Sequence, residues 1–220
     1  MDIKRQLRNA DDMTALVNEI GFLPLFHVGV KGFSVEEMTP GQWWTGLRDD
    51  PWHWREIAAM EGEIIYGKIF NGRAGFVSKA WFPKFANYRR DGYDFDSRWE
   101  EGLETPRNQA IMECVAKNPM IMTSEIKKQV GKTGFEGALG SLEMKTYLII
   151  RGFDRKKNRF HEPYGWPIGV MDTPENAFGY EWTTSAYTEK PDSSYRDILS
   201  HIKNKCPGID MDALERIIRR

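Results

Sequence analysis

The chain has 220 residues, of which 40% are hydrophobic and 29% are charged, and its formal net charge is −1. This composition is typical of a globular protein with one sizeable domain or two small ones, and it excludes extensive disorder. The near-zero net charge argues against a strongly basic protein that binds nucleic acid without specificity.

The first helical signal lies at residues 11–20, where apolar residues recur on one face. We expect Asp11 to cap this helix and Gly21 to end it. Thr39-Pro40 and Asp50-Pro51 each predict another helix start, because a capping side chain followed by proline favours the first helical turn.

Strand signals follow in the same half of the chain. The apolar run at residues 21–30 contains Pro24, which favours a buried connection or an edge strand over a helix. Residues 63–79 predict a hairpin that turns at Asn71-Gly72, a strong turn pair. Helix, helix and hairpin in this order suggest a first winged-helix-like unit within residues 1–104.

Residues 105–180 contain the clearest succession of elements, after a boundary at residues 102–106. The order of these elements is that of a winged helix. They are a helix at Arg107–Lys117, a short strand at 120–122, a brief helix capped by Thr123, a third helix from Phe135 to Leu142, a strand at Tyr147–Phe153, a basic turn at 154–158 and a return strand at Tyr164–Met171. We predict an α+β fold with a winged-helix domain here, small antiparallel hairpins and a C-terminal helical extension at 181–220.

The predicted hairpin of this domain is strongly basic. From Thr105 to Asp172 there are eleven Lys or Arg against seven Asp or Glu, a local charge of +4. Cations at a hairpin tip can contact phosphates without reading bases. The alternative is that the lysines protect an edge strand from pairing with another chain. Pro163 and Pro167 predict that the return strand lies at an edge of the sheet. The candidate phosphate contacts are Arg151, Arg155, Lys156, Lys157 and Arg159.

The third predicted helix is a candidate for insertion into a DNA groove. Lys132, Ser141 and Lys145 are its proposed contacts, and its small residues would allow a close approach to DNA. However, Glu136 and Glu143 would repel phosphates, and a winged helix can serve only as a packing or protein-binding module. The sequence leaves both interpretations open.

A basic pair, Arg89-Arg90, lies beside Tyr88 and Tyr93. Aromatic rings can stack on an unpaired base while arginine binds its phosphate, so Arg89 and Arg90 are further nucleic-acid candidates. Alternatively, the core face of a helix is formed by three aromatic residues spaced by three, Phe82, Phe85 and Tyr88. We favour this interpretation for the two phenylalanines.

The sequence has one acidic cluster that resembles a set of catalytic carboxylates. Asp94 and Asp96 are its candidate acid–base residues, with Asp91, Glu100 and Glu101 nearby. The alternative is an ordinary Asp-rich turn. No phosphate-binding loop or nucleophile motif occurs elsewhere in the sequence.

The two cysteines, Cys114 and Cys206, lie far apart and predict no disulfide framework, so we expect a reducing, cytoplasmic setting. The N-terminal sequence is polar, and no apolar run reaches the roughly 18 residues of a membrane span. No pair of Cys or His residues has the spacing of metal ligands. We therefore expect no membrane association, no metal and no cofactor.

Two segments, AGFVSKAWFPKFANYRRDGYDFD (74–96) and GFEGALGSLEMKTYLII (134–150), resemble short proteins described as related to AlkZ. AlkZ-type enzymes are bacterial DNA glycosylases built from tandem winged-helix motifs, and their Gln-x-Gln motif acts at the damaged nucleotide. This chain has no glutamine pair at that spacing, and Leu23-Pro24-Leu25, near the corresponding place, offers no amide. The resemblance implies winged-helix architecture and a nucleic-acid role, but it supplies no catalytic residue.

Three functions remain open from the sequence. The first is a DNA-binding winged-helix protein in repair or regulation, and the second is a glycosylase-like hydrolase that uses Asp94 or Asp96. The third is a module that binds a protein or a ligand without nucleic acid, and its signature would be a pocket lined by four tryptophans. Those residues are Trp43, Trp44, Trp52 and Trp54.

Overall fold

The computed structural model describes residues 6–39, 41, 43–46 and 50–219. These residues form twelve helices and six strands. The helices are α1 (Ala10–Ile20), α2 (Val35–Met38), α3 (Pro51–Glu61), α4 (Phe82–Arg90), α5 (Phe95–Glu100), α6 (Pro106–Lys117), α7 (Thr123–Val130), α8 (Phe135–Met144), α9 (Pro174–Phe178), α10 (Tyr180–Thr183), α11 (Pro191–Lys205) and α12 (Met211–Ile218). The strands are β1 (Phe22–Pro24), β2 (Ile64–Phe70), β3 (Arg73–Ser78), β4 (Ile121–Met122), β5 (Ile149–Lys157) and β6 (Pro163–Asp172).

All six strands belong to one antiparallel sheet, in the order β1-β3-β2-β5-β6-β4. The β2–β3 hairpin turns at Asn71-Gly72, and β1 is an edge strand, so both predictions are confirmed. Tyr66 of β2 pairs with Ile150 of β5 and joins this hairpin to the β5–β6 hairpin. The small hairpins expected from the sequence are therefore parts of a single sheet.

Two hydrophobic clusters support the sheet. The first combines residues of α1, α4 and β1–β3 with Ile198 and Ile202 of α11 and Leu214 of α12. The second combines α6, α7 and α8 with Met171 of β6. Ile150 packs against both clusters. The C-terminal helices α11 and α12 are thus built into the core of the N-terminal half.

Two predicted helix caps are wrong. Helix α1 begins one residue earlier than predicted, because the side chain of Asn9 accepts the hydrogen bond of the Asp12 N–H at 2.7 Å and Asp11 lies in the first turn. Helix α7 follows β4 directly, so Met122 precedes it and Thr123 is its first residue, with no side-chain cap.

The Thr39-Pro40 helix start includes Pro40, which lies outside the described residues. Immediately before it, the short helix α2 begins after Ser34, whose hydroxyl accepts from the Glu37 N–H. The Asp50-Pro51 start is confirmed, since Asp50 caps α3.

From α6 to β6 the elements follow the predicted order of helix, strand, two helices and two strands. Strand β4 pairs with the end of β6 at Met171 and Val170, so this half of β6 lies inside the sheet. The half of β6 that carries Pro163 and Pro167 extends beyond β4 and pairs only with β5. The edge position predicted from these prolines therefore holds for that half alone.

None of the described helices is both long enough and apolar enough to cross a membrane. Within the same residues, no group of three or more His, Cys, Asp or Glu side chains could hold a metal ion.

Candidate nucleic-acid interface

The β5–β6 hairpin extends into solvent beyond Phe153. We call residues 154–166 the finger, and every residue in it is exposed. The finger carries four cations, none of which takes part in an ion pair between described residues. Because no carboxylate of the described residues neutralises them, these charges are available to an external polyanion, although the Arg159 guanidinium also lies over the Phe160 ring, 4.6 Å from its centre. The four cations are Arg155, Lys156, Lys157 and Arg159.

Three of the four basic residues, Arg155, Lys156 and Lys157, lie on strand β5 rather than in the turn predicted from the sequence, and Arg159 lies in the turn that follows. Lys156 and Lys157 belong to β5 and pair with Tyr164 and Pro163 of β6. The turn itself spans residues 158–162, where the Asn158 side chain accepts hydrogen bonds from the main-chain N–H groups of Phe160 and Glu162 at 2.8 and 3.1 Å.

The sequence analysis missed three aromatic residues on the finger. Phe160, Tyr164 and Trp166 are 66%, 52% and 82% exposed. The pairing shifts between Asp154↔Ile168 and Lys156↔Tyr164, which leaves residues 165–167 opposite a single residue of β5. Such a bulge redirects a side chain, and Gly165 permits it with a φ of +77°. The signal in the sequence was the segment Tyr-Gly-Trp-Pro at 164–167, which follows the basic residues. The alternation of side chains along a strand would instead place its aromatic rings in a core.

Arg151 does not belong to the finger. It lies in the half-buried part of β5, and its guanidinium carbon is 4.7 Å from the centre of the Phe178 ring in α9. This cation–π contact anchors α9 against the sheet. We therefore leave Arg151 out of the candidate interface.

Helix α8 presents an open strip of small residues. No heavy atom lies within 4 Å of a Cβ built on Gly137 or Gly140, and Lys132 is exposed in the turn before the helix. Ser141 is half-buried. Lys145 forms an ion pair with the buried carboxylate of Glu104, so its charge is largely neutralised.

Glu143, which was expected to flank this helix outwards, is buried instead. Its Oε1 accepts a hydrogen bond from the Lys68 N–H of β2 at 3.2 Å. Burial raises the pKa of Glu143 to about 7, although the Lys68 ammonium opposes this shift. This side of α8 is therefore packed on the sheet and is closed to DNA.

Arg90 lies inside the protein. It is fully buried, forms an ion pair with Glu175 and donates to the Thr146 carbonyl oxygen at 2.7 Å. Phe82 and Phe85 are fully buried, which confirms that they form the core face of a helix. A guanidinium held in this way cannot reach a phosphate at the surface, so we exclude Arg90 from the interface.

Arg89 is also buried, but it lines a cleft. Its Nη2 donates to the carbonyl oxygens of Ile69 and Ile217 at 3.0 and 3.1 Å. The same cleft is lined by Ser141 and Lys145. The structure thus brings together three of the predicted nucleic-acid contacts, at a place apart from the finger.

Asp94 and Asp96 line a cleft of about 320 Å³ together with Trp99, Tyr147 and Tyr180. Asp94 caps α5 by accepting from the Ser97 N–H at 2.8 Å, and its other oxygen accepts from the Tyr180 hydroxyl at 3.2 Å. Burial would raise the pKa of Asp94, but these hydrogen bonds outweigh burial and lower it. The lowered pKa keeps the Asp94 carboxylate ionised, and Asp96 is exposed at the rim.

The four tryptophans do not line one pocket among the described residues. Trp54 lies in the core, whereas Trp43, Trp44 and Trp52 cluster around Phe26 with ring centroids 5.4 to 6.4 Å from it. Trp44 is 62% exposed.

Trp52 lines a different cleft, at which the Arg55 guanidinium carbon lies 3.8 Å from the Trp52 ring centre and 4.0 Å from that of Phe153. The signature of a ligand pocket enclosed by four tryptophans is therefore not found in the described part of the chain.

Comparison with known proteins agrees with the resemblance seen in the sequence. The solved structure of the Streptomyces sahachiroi DNA glycosylase AlkZ is similar to this fold, with a TM-score of 0.50 and 14% sequence identity. The match covers 91% of this chain and 52% of the glycosylase, so the chain spans about half the length of that enzyme. No curated protein sequence matches the chain significantly. A family model described as "AlkZ related" matches residues 7–219, and the chain therefore belongs to the AlkZ-related family.

Proposed function

We propose that this protein binds DNA through a winged-helix domain at residues 105–180 and acts in DNA repair or in regulation. The order of elements from α6 to β6, with β4 paired to β6, supports the winged-helix assignment. The repair theme is supported by family membership and by the likeness to a protein named as a DNA glycosylase.

The observation that carries the proposal is the composition of the finger. It combines four exposed, unpaired cations with three exposed aromatic rings on one protruding hairpin. Cations bind backbone phosphates, and aromatic faces stack on bases, so the two groups together suit a nucleic acid. Protection of an edge strand would explain the lysines, but it would not explain a tryptophan that is 82% exposed.

The direct test removes the four finger cations at once. We expect the variant R155A/K156A/K157A/R159A to lose duplex binding, measured by fluorescence anisotropy at about 50 mM salt, because each neutralised phosphate contributes to affinity. The matched control removes four other exposed lysines, in K31A/K117A/K203A/K205A. Equal affinities of the two variants would refute the finger as the DNA contact.

A second candidate function is glycosylase-like hydrolysis of a damaged base. The specific observation in its favour is that Asp94 and Asp96 share a cleft with Trp99 and two tyrosines, since carboxylates beside aromatic walls could activate water next to a bound base.

Incubation with alkylated duplex DNA would test the hydrolase. We expect D94N or D96N to reduce base release at least about a hundredfold, the usual size of an acid–base contribution. If base release is unchanged in both variants, neither aspartate is the catalytic residue. If the wild-type protein releases no base, the hydrolase function itself is contradicted.

A further inference from the structure

The second cleft is bounded by the end of α4, the C-terminal end of α8 and helix α12, and it has a volume of about 610 Å³. Five cationic side chains and one carboxylate are among its described lining residues. These are Arg89, Arg98, Lys145, Arg216, Arg219 and Asp91. In a chain whose net charge is −1, this concentration of positive charge in one concave place is unusual. We propose that the cleft binds a phosphate group.

Part of this positive charge is already neutralised inside the protein. Arg98 and Lys145 both form ion pairs with the Oε1 atom of Glu104, whose side chain is fully buried. Arg219 lies 3.6 Å from Glu215 but is 69% exposed, so this pair is weak. Arg216 and Arg219 therefore supply most of the exposed positive charge, and the buried Arg89 adds its charge at the wall of the cleft.

Arg89 gives independent support for an anion. Its guanidinium donates to three main-chain carbonyl oxygens and to no carboxylate among the described residues, and its buried Nε has no partner. Two of these carbonyls lie at the C-terminal end of α12, which supplies about half a negative charge. A buried cation that is only partly compensated is costly, and a bound anion would reduce that cost.

Phosphate fits this cleft better than a carboxylate does. Guanidinium groups bind phosphate oxygens in pairs, and a doubly charged anion matches the three arginines that remain. The Ser141 hydroxyl, which also lines the cleft, could donate to a third oxygen. The volume leaves room for a sugar attached to the phosphate. The ligand is therefore a phosphate ester, either the backbone of DNA or a free nucleotide.

Full-length protein should be titrated with pyrophosphate while the Nε–H signals of its arginines are followed by NMR. We expect saturable binding that shifts the Arg89 signal, and we expect R216A/R219A to weaken it about tenfold or more, because charge-assisted hydrogen bonds are lost. Both side chains are exposed, so the fold should persist, and R216A alone is the second test. The control K203A/K205A, which removes two exposed cations elsewhere, should bind as the wild type does.

A short duplex then identifies the source of the phosphate. If R216A/R219A also weakens binding of the duplex, the ligand is the DNA backbone, and if only pyrophosphate binding falls, it is a free ester. No saturable binding of pyrophosphate, or equal binding by R216A/R219A and the wild type, would overturn the proposal. The finger variant tests DNA binding with other residues, so either proposal can fail while the other holds.

Discussion

Trp166 is the most exposed large side chain of the finger, and its position follows from the bulge opposite Arg155. A ring that is 82% exposed contributes little to folding, and its faces are open to a ligand. Intact duplex DNA hides the faces of its bases, whereas single-stranded DNA offers them. We therefore expect Trp166 to matter most for single-stranded DNA.

The substitution Trp166→Ala tests this. We expect the free energy of unfolding to change by less than about 0.5 kcal/mol, and the affinity for single-stranded DNA to fall by about 1–3 kcal/mol, the usual worth of one stacked base. Trp44→Ala, at a ring that is 62% exposed outside the finger, is the matched control. If the two variants bind alike, Trp166 does not stack on bases.

The burial of Arg89 and Arg90 could not be predicted from their neighbours in the sequence. A pair of arginines after an aromatic helix face suits the surface as well as the interior. Arg90 is held in the interior by its ion pair with Glu175, which is 85 residues away in the chain. Arg89 is held in the interior by its hydrogen bond to the carbonyl oxygen of Ile217, which is 128 residues away.

At the scale of elements, local signals predicted the helices and turns well. Asn71-Gly72 and Asp50-Pro51 act within a few residues, and both were found where expected. Errors arose where one element runs directly into the next. The basic residues 155–157 are strand rather than turn, because Lys156 and Lys157 pair with β6 in a register that the bulge determines.

The contact between α8 and β2 includes a titratable side chain, that of Glu143, which accepts a hydrogen bond from the Lys68 N–H. Glu143 has a pKa raised by burial to about 7, above the 4.5 of an ordinary glutamate. The pKa of Glu143 is higher in the folded state than in the unfolded state. Its contribution to the free energy of unfolding is therefore complete below about pH 4.5 and is lost as the pH rises through 7. Among the described residues, the buried ionised carboxylate is then compensated by the Lys68 N–H and by the Lys68 ammonium, which is 3.9 Å away.

Glu143→Gln removes this titration while keeping an oxygen for the Lys68 N–H. We expect the variant to be more stable than the wild type above pH 7, by on the order of 2–3 kcal/mol, with the gain shrinking toward about pH 5. Urea denaturation at several pH values measures it. Glu136→Gln, at an exposed carboxylate on the same helix, should show no such pH dependence. A gain for Glu143→Gln that is independent of pH would contradict the raised pKa.

At the scale of the whole molecule, the single sheet and the docking of the C-terminal helices were not predictable from the sequence. The Tyr66–Ile150 pair joins residues 84 positions apart, and Leu214 enters the core of the N-terminal half. Apolar periodicity says that these residues are buried, but it does not say against which element. The order of elements in the sequence predicted a mixed fold of helices and a sheet, whereas the connections depend on contacts between residues far apart in the chain.

The distribution of charge decides how this protein could bind DNA. The finger carries four cations and two carboxylates, a charge of +2, so the rest of the chain carries −1 − 2 = −3. Non-specific attraction over the whole surface is therefore excluded as the source of affinity. Binding must depend on a few well-placed contacts, and its dependence on salt should report their number.

The salt dependence of duplex binding is accordingly the most direct test of the proposed function. If the four finger cations contact phosphates, the logarithm of affinity should fall with the logarithm of salt concentration at a slope of about −3 to −4. The variant R155A/K156A/K157A/R159A should lose nearly all of that slope, and K31A/K117A/K203A/K205A should keep it. A wild-type protein that does not bind duplex at about 50 mM salt, or a slope unchanged in the finger variant, would contradict DNA binding through the finger.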